Sequence, residues 1–294
     1  MNVSVPEVLF GQAAPVERTF RNEIIGFISM QRLAIDVMSL PPVAAFFALA
    51  GGQVDARLFF FLLVAVLVAI ATNIINDLAD VERDKTKWPL RPLPTGLLSK
   101  RLAATYVLIT AGIALVIAGM VFNSLFLVLA LLELVLAAVY AGYTRDNIGH
   151  LTAAIPIALL PVVAWSAASP ETILTPLPWL LALFCVPMSV TAQLFNEASV
   201  PGPTLFVKFK PSTDKLLCVA SAAMIFIVGT AIFLYAQLAW PFMAVLAAYA
   251  IWTLAQARNF GMPESAEKLQ NALKVRSLWL IVLFLTVAVL IWVA

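Results

Sequence analysis

Nine apolar runs, each close to the length a helix needs to cross a bilayer, alternate with short polar connections along this chain. Their approximate cores are 24–49, 57–80, 102–121, 124–142, 150–168, 177–196, 215–235, 239–257 and 275–293. The connections at Asn123-Ser124 and around Gln237 are very short, so neighbouring runs there must turn straight back. No run shows the two-residue alternation of a barrel strand. Helices and closed barrels alone satisfy backbone polar groups in lipid, so the pattern predicts an all-α integral membrane protein, a bundle of about nine transmembrane helices.

Charge placement orients the bundle. The segment before the first run and the connections after the second, fourth, sixth and eighth hold Arg18, Arg21, Lys85, Lys87, Arg91, Lys100, Arg101, Arg145, Lys208, Lys210, Lys215, Arg258, Lys268, Lys274 and Arg276, whereas the opposite connections hold only Arg57. Cytoplasmic connections carry the excess of Lys and Arg, which predicts a cytoplasmic N-terminal segment (1–21) and cytoplasmic loops at 82–101 and 197–214. Segment 1–21 includes Glu7, Glu17, Arg18 and Arg21 and lacks the compact apolar stretch of a signal peptide.

Composition adds limits. Hydrophobic residues make up 63% of the chain and charged residues 12%, and the mean hydropathy is +0.99, against roughly 45–50% apolar residues in soluble domains. No interval between the runs is long enough for a separate core, so 1–294 reads as a single membrane domain surrounded by lipid, with no nucleic-acid partner. Cys185 and Cys218 stand in apolar context without metal or redox spacing and read as small hydrophobes.

The chemistry concentrates after the second run, in NIINDLADVERDKTKWPLRPLPTGLLS (Asn73 to Ser99). Asn76, Asp80 and Asp84 are spaced i, i+4, i+8, a ridge that drifts only about 40° per step on a helix. Asp77 lies about a quarter-turn from Asn76, as a supporting partner or a cap for the adjoining loop. Anions are unfavourable at a helix C-terminus and repel one another when packed, so a cation is expected among them. Hard oxygen donors with room for water suit Mg²⁺, which takes one or two carboxylates plus substrate phosphate. The basic, Pro-rich loop supplies Lys85, Lys87 and Arg91 for diphosphate oxygens.

NDLADVERD followed by RPLPTGLLS resembles the NDxxDxxxD motif and RPLPSG-type loop of the UbiA superfamily of intramembrane prenyltransferases. The nine runs, Tyr143-Thr144-Arg145 after the fourth and a polar segment after the sixth extend the resemblance over nearly the whole chain. The resemblance implies a UbiA-like bundle opening to the cytoplasmic side, with Mg²⁺ as cofactor and an isoprenyl diphosphate as substrate. Asn76, Asp80 and Asp84 would hold the ion. Arg91 with Lys85 or Lys87 would contact the diphosphate. The implied chemistry is ionisation of an allylic diphosphate, with transfer of the prenyl group to a lipophilic or aromatic acceptor. Tyr140 or Tyr143 could face the cation with an aromatic quadrupole, although most aromatics in so apolar a chain pack or anchor at the interface.

The second half departs from the family pattern. Where a second acidic cluster is usual, the chain reads SVTAQLFNEASVPGPTLFVKFKPSTDK. Gln193 and Glu197 keep i, i+4 spacing beside Asn196, but Glu197 is the only carboxylate of the three, so a second Mg²⁺ would have fewer protein ligands. Lys208, Lys210 and Lys215 could share the charge neutralisation or simply enforce orientation. Arg145 is followed by Asp146 and Asn147 rather than by further cations, so it reaches the diphosphate or pairs with Asp146. The two long loops come after the second and sixth runs, which suggests two half-bundles with the site between them.

Other polar residues read as structural. Arg32 and Asp36 neutralise each other at i, i+4, and His150 is an interfacial hydrogen-bonding residue. Glu133 inside the fourth run either faces a cavity or is protonated. Two further functions compete with transfer: a terpene cyclase of the same type, in which a double bond of the substrate's own chain attacks the cation, and a non-catalytic carrier or scaffold that retains a diphosphate site. The depleted second cluster fits a remodelled site; transporters seldom join an acidic ridge to a basic Pro-rich loop.

Overall fold

The computed structural model describes residues 19–30, 33–198, 211–262 and 265–293. It is all-helical, with no strand among the described residues. The helices are α1 (Phe20–Met30), α2 (Leu33–Leu49), α3 (Ala56–Ala79), α4 (Val81–Lys87), α5 (Lys100–Val121), α6 (Ser124–Val139), α7 (Arg145–Ala168), α8 (Pro176–Ala198), α9 (Pro211–Ala236), α10 (Trp240–Gln256) and α11 (Ser265–Val293). A π-helical segment, Tyr140–Thr144, joins α6 to α7.

Among the described residues seven helices are long and apolar enough to cross a membrane, and Leu40–Leu49 and Ala154–Ala168 form two shorter apolar helices where the first and fifth spans were expected. Both of these carry internal prolines, Pro41 and Pro42 in α2 and Pro156 and Pro161 in α7. Neighbouring helices can satisfy backbone groups that proline leaves unpaired. Large apolar side chains such as Leu108, Val116 and Met120 on α5 and Ile227 and Leu234 on α9 point outward. Water would penalise such a surface, whereas lipid does not.

The helices pack as a closed set. α3 lies against α5 and α6, α6 against α7, and α7 against α8; α9 and α10 come next in turn, and α11 returns to α2, which itself touches α3 and α7. The main core lies between these helices and includes Phe46, Phe61, Phe126, Phe184, Tyr249 and Phe284. Short turns make the close antiparallel neighbours. α2 ends on Gly51 (φ +85°), with Gly52 N–H donating to the Phe47 carbonyl and Gly51 N–H to that of Ala48, the paired bonds of a glycine-terminated helix. α9 ends the same way on Gln237 (φ +51°), with Leu238 N–H donating to the Phe233 carbonyl. Gly229 leaves room for the Leu246 side chain between α9 and α10.

One end of the bundle is stitched by side chains to backbone. The carbonyls at the end of α7 have no intrahelical donors. Arg57, at the start of α3, donates from Nη2 to the Ala167 carbonyl at 2.6 Å, and Asn123 donates from Nδ2 to the Ser166 carbonyl at 2.6 Å. Asn123 also caps α6 by accepting from Phe126 N–H, and the Ser169 hydroxyl donates to the Ala50 carbonyl at 2.6 Å. Arg57 is therefore held by a helix C-terminus, where a cation is favoured.

Two expectations need correction. The connection 82–101 is not a plain loop, because Val81–Lys87 is helical. Arg276 is no loop cation; it lies buried within α11 and donates from Nη2 to the Met188 carbonyl of α8.

Candidate active site

At the end opposite the stitched turns, α3 and α4 form a nearly continuous helix. Asp80 joins them with φ −89° and ψ −2°. Its N–H donates to the Asn76 carbonyl at 3.0 Å and its own carbonyl accepts from Asp84 N–H at 2.8 Å. Helical spacing therefore carries through the joint, and Asp77, Asp80 and Asp84 are all buried.

The chain then folds back over this face. Trp88 N–H donates to the Asp84 carbonyl and ends α4, Arg91 N–H donates to the Trp88 carbonyl, and Thr95 N–H to that of Arg91. Gly96 takes φ +74°, a left-handed conformation that glycine adopts without a Cβ penalty. Ser99 then caps α5 by accepting from Leu102 N–H. The loop rests on an apolar floor of Met30, Ile70, Ile74, Val81, Leu93 and Leu98.

This path brings Arg91 onto the acids. Its Nη1 donates to Asp84 Oδ2 at 2.7 Å and to Asp77 Oδ1 at 3.3 Å, and its guanidinium carbon stands 5.5 Å from the centre of the Trp88 ring. Arg83 Nη1 lies 3.1 Å from Asp80 Oδ1. Charged groups buried in low dielectric must be paired, and these are. Asp77 is thus a full member of the acidic face: seven residues from Asp84, it lies only about 20° away around the helix. Arg91 bridges these two carboxylates, although a diphosphate contact was expected of it.

The donor set suits a hard divalent cation. Three buried carboxylates lie along this helical face, with half-buried Asn76 on the same helix. Among the described residues no three His, Cys, Asp or Glu side chains converge closely enough to enclose an ion by themselves. An ion that keeps waters and shares its coordination with substrate phosphate, as Mg²⁺ does, needs no such enclosure.

The remaining expected site residues divide clearly. Lys85 points to the surface, where Nζ lies 2.7 Å from Glu82 Oε2; this hydrogen bond, with the Lys85 charge, holds the exposed Glu82 carboxyl below its ordinary range. Tyr143 is 81% exposed, whereas Tyr140 in the same π segment is half-buried. Gln193 is half-buried and Asn196 exposed near the end of α8. The side chains of Asp36, Lys87, Arg145, His150 and Glu197 lie outside the described residues, as do Arg32, Lys208 and Lys210 altogether. Glu133 is buried in α6, and its Oε1 has no hydrogen-bond partner among the described residues. Sequence reasoning passed over Arg83, although i, i+3 spacing from Asp80 signals it, and over Trp88 beneath Arg91.

Comparison with known proteins bears on this arrangement. The UbiA prenyltransferase family profile matches residues 39–281. A digeranylgeranylglyceryl phosphate synthase from Thermococcus sibiricus is 38% identical over 92 residues, 31% of this chain and 33% of that protein. The matched stretch thus spans about a third of that relative's length. The apo structure of a UbiA homolog from Aeropyrum pernix K1 superposes with a TM-score of 0.70 at 18% identity, covering 88% of this chain and 98% of the homolog. A UbiA homolog from Archaeoglobus fulgidus bound to GPP and Mg²⁺ gives a TM-score of 0.64 at 18% identity, over 90% of this chain and 99% of the homolog. At such identities the structural likeness is one of fold.

Proposed function

Since this chain belongs to the UbiA prenyltransferase family, we propose that it is a Mg²⁺-dependent intramembrane prenyltransferase, one that ionises an allylic isoprenyl diphosphate beside the α3–α4 acids and transfers the prenyl group to a lipophilic acceptor. The observation that carries the reading is the set of three buried carboxylates, Asp77, Asp80 and Asp84, with Arg91 on two of them. Asp80 and Asp84, with Asn76 and Asp77, would hold Mg²⁺, which when bound neutralises charge on the departing diphosphate. The homolog bound to GPP and Mg²⁺ supports this pairing of ion and substrate.

The chain's own residues do the rest. Arg91 turns from the carboxylates toward diphosphate oxygens, where its planar fork suits phosphate, and Trp88 supports the guanidinium as it moves. Lys85 and Lys87, which follow Asp84 in the sequence, would add positive charge. As the allylic C–O bond breaks, the electron pair leaves with the diphosphate. The apolar helices keep water from the cation until the acceptor attacks and loses its proton. Tyr140, half-buried on the π segment, is better placed than Tyr143 to present a ring face to the cation. Glu197 with Gln193 and Asn196, and the cations Arg145, Lys208 and Lys210, would add further polar contacts to the diphosphate.

We place the loops at this end on the cytoplasmic side, a reading that the distribution of Lys and Arg supports. The name of the partial relatives suggests a prenylated glyceryl phosphate as the first acceptor to try. Mass spectrometry of products from a panel of prenyl diphosphates, with and without prenylated glyceryl phosphate and aromatic acceptors, tests the reading. Prenylated acceptor formed only with Mg²⁺ supports it. Cyclic hydrocarbon released without acceptor would mean cyclisation instead, and no turnover of any diphosphate would overturn both.

A further inference from the structure

Helix α1 precedes the part of the chain matched by the family profile, and none of Asp77, Asp80, Asp84 and Arg91 lies on it. Its two faces differ. Gly26 and Met30 point inward and are buried, and a Cβ added at Gly26 would stand 3.2 Å from Leu97 Cγ and 3.3 Å from Leu98 Cβ. These two leucines close the loop that carries Arg91. Met30 joins the apolar floor beneath that loop, and Phe27 packs its ring 4.1 Å from that of Tyr106 on α5. On the far side Phe20, Ile24 and Ile28, spaced i, i+4, i+8, are 78%, 39% and 53% exposed. The Tyr106 contact sets α1 beside the first turns of α5, whose Leu108 and Ile109 also point outward. The exposed stripe of α1 therefore continues the lipid-facing surface at the level where the bundle meets water, with Arg21 exposed on the same helix.

We propose that α1 is a lipid-interfacial strap: Phe20, Ile24 and Ile28 sit in the bilayer boundary, and Gly26 is a positioning residue that holds the Leu97–Leu98 corner and thereby keeps Arg91 over the acids. The absence of a side chain at Gly26 lets the strap lie directly on the loop. A larger residue would lift the corner, and small displacements at a site have large effects on what it binds. This proposal rests on the diphosphate reading of the α3–α4 site.

The test uses the full chain in phosphatidylcholine–phosphatidylglycerol vesicles, with inorganic pyrophosphate and Mg²⁺ titrated calorimetrically. Gly26→Leu is expected to weaken pyrophosphate binding about tenfold, and Gly26→Leu with Leu97→Ala, which reopens the space, to recover most of it. Undiminished binding by Gly26→Leu, or no recovery in the double variant, overturns the strap. Should Gly26→Leu fail to fold, Gly26→Ala is read on the same titration, with a smaller loss expected and unchanged binding contradicting the proposal. The lipid face is read separately. Ile28→Cys, the two native cysteines being buried, is labelled with an environment-sensitive dye, whose quenching by brominated lipid supports the interfacial placement; quenching by aqueous iodide alone overturns it. Wild-type protein that binds no pyrophosphate would overturn the diphosphate reading itself, a result distinct from loss in Gly26→Leu alone.

Discussion

The two ends of the bundle use the same chemical device, a guanidinium donating to oxygen, for opposite purposes. At the stitched end Arg57 donates to the Ala167 carbonyl, with Asn123 and Ser169 making similar bonds to Ser166 and Ala50. Backbone carbonyls at a helix terminus are fixed acceptors, and no other ligand competes for them. At the other end Arg91 and Arg83 meet Asp77, Asp84 and Asp80. Carboxylates can take a metal in place of a guanidinium, and a guanidinium can take phosphate in place of a carboxylate. On the proposed function, one end is closed for good, and the other by partners that substrate and ion would exchange.

If that contrast is right, substitutions at the two ends should separate activity from stability. The largest effect is expected from Asp80→Asn and Asp84→Asn, each of which should lower prenyl transfer by about a hundredfold or more while the melting temperature moves little, read by product formation and by thermal unfolding in detergent. Full turnover in both variants would break the contrast at the site end. Arg57→Ala should do the reverse. It leaves the Ala167 carbonyl without its charged donor and should cost about 1.5–3 kcal/mol of stability with pyrophosphate affinity unchanged. A loss of affinity without a fall in melting temperature would show that the stitched end also serves the site.

Smaller effects sharpen the same picture. Gln237 holds a left-handed conformation that glycine adopts more cheaply, so Gln237→Gly should stabilise the α9–α10 turn by about 1 kcal/mol, measured as a rise in melting temperature with unchanged turnover. The Glu82–Lys85 pair should matter least. Its hydrogen bond depresses the Glu82 carboxyl, so any stability it contributes is present above the unfolded-state carboxylate range and is lost as pH falls through the lower folded value. Both partners are exposed, and solvent screens them. Lys85→Gln should therefore lower the melting temperature only slightly at neutral pH and not at all below the folded carboxyl value, where the two proteins coincide.

Much of this was legible in the chain. The acidic ridge could be found because four oxygen-bearing side chains recur at helical spacing where an apolar run ends, a costly arrangement without a cation. The joint at Asp80 preserved that spacing. The partners were less legible, since Arg91 reaches Asp77 and Asp84 only after the Pro-rich loop turns back. Counting prolines and charges suggested a plain loop, yet Val81 to Lys87 continues the helix of α3. Arg276 was counted with the connections because a cation beside a loop is usually in it; Met188, whose carbonyl it meets, is far away in sequence. Tyr143 looked suited to the site by its place after the fourth run; the π segment leaves its side chain largely exposed and that of Tyr140 half-buried. The stitched end left only a faint trace, one arginine on a side otherwise without Lys or Arg.

The central claim is that the α3–α4 carboxylates hold a divalent ion jointly with a diphosphate. Mn²⁺, another hard ion suited to carboxylate and phosphate oxygens, can report this by electron paramagnetic resonance when titrated into reconstituted protein with pyrophosphate. The account predicts bound Mn²⁺ in the wild type, dependent on pyrophosphate, and its loss in the Asp80→Asn, Asp84→Asn double variant. Equal Mn²⁺ binding by the two proteins would contradict it.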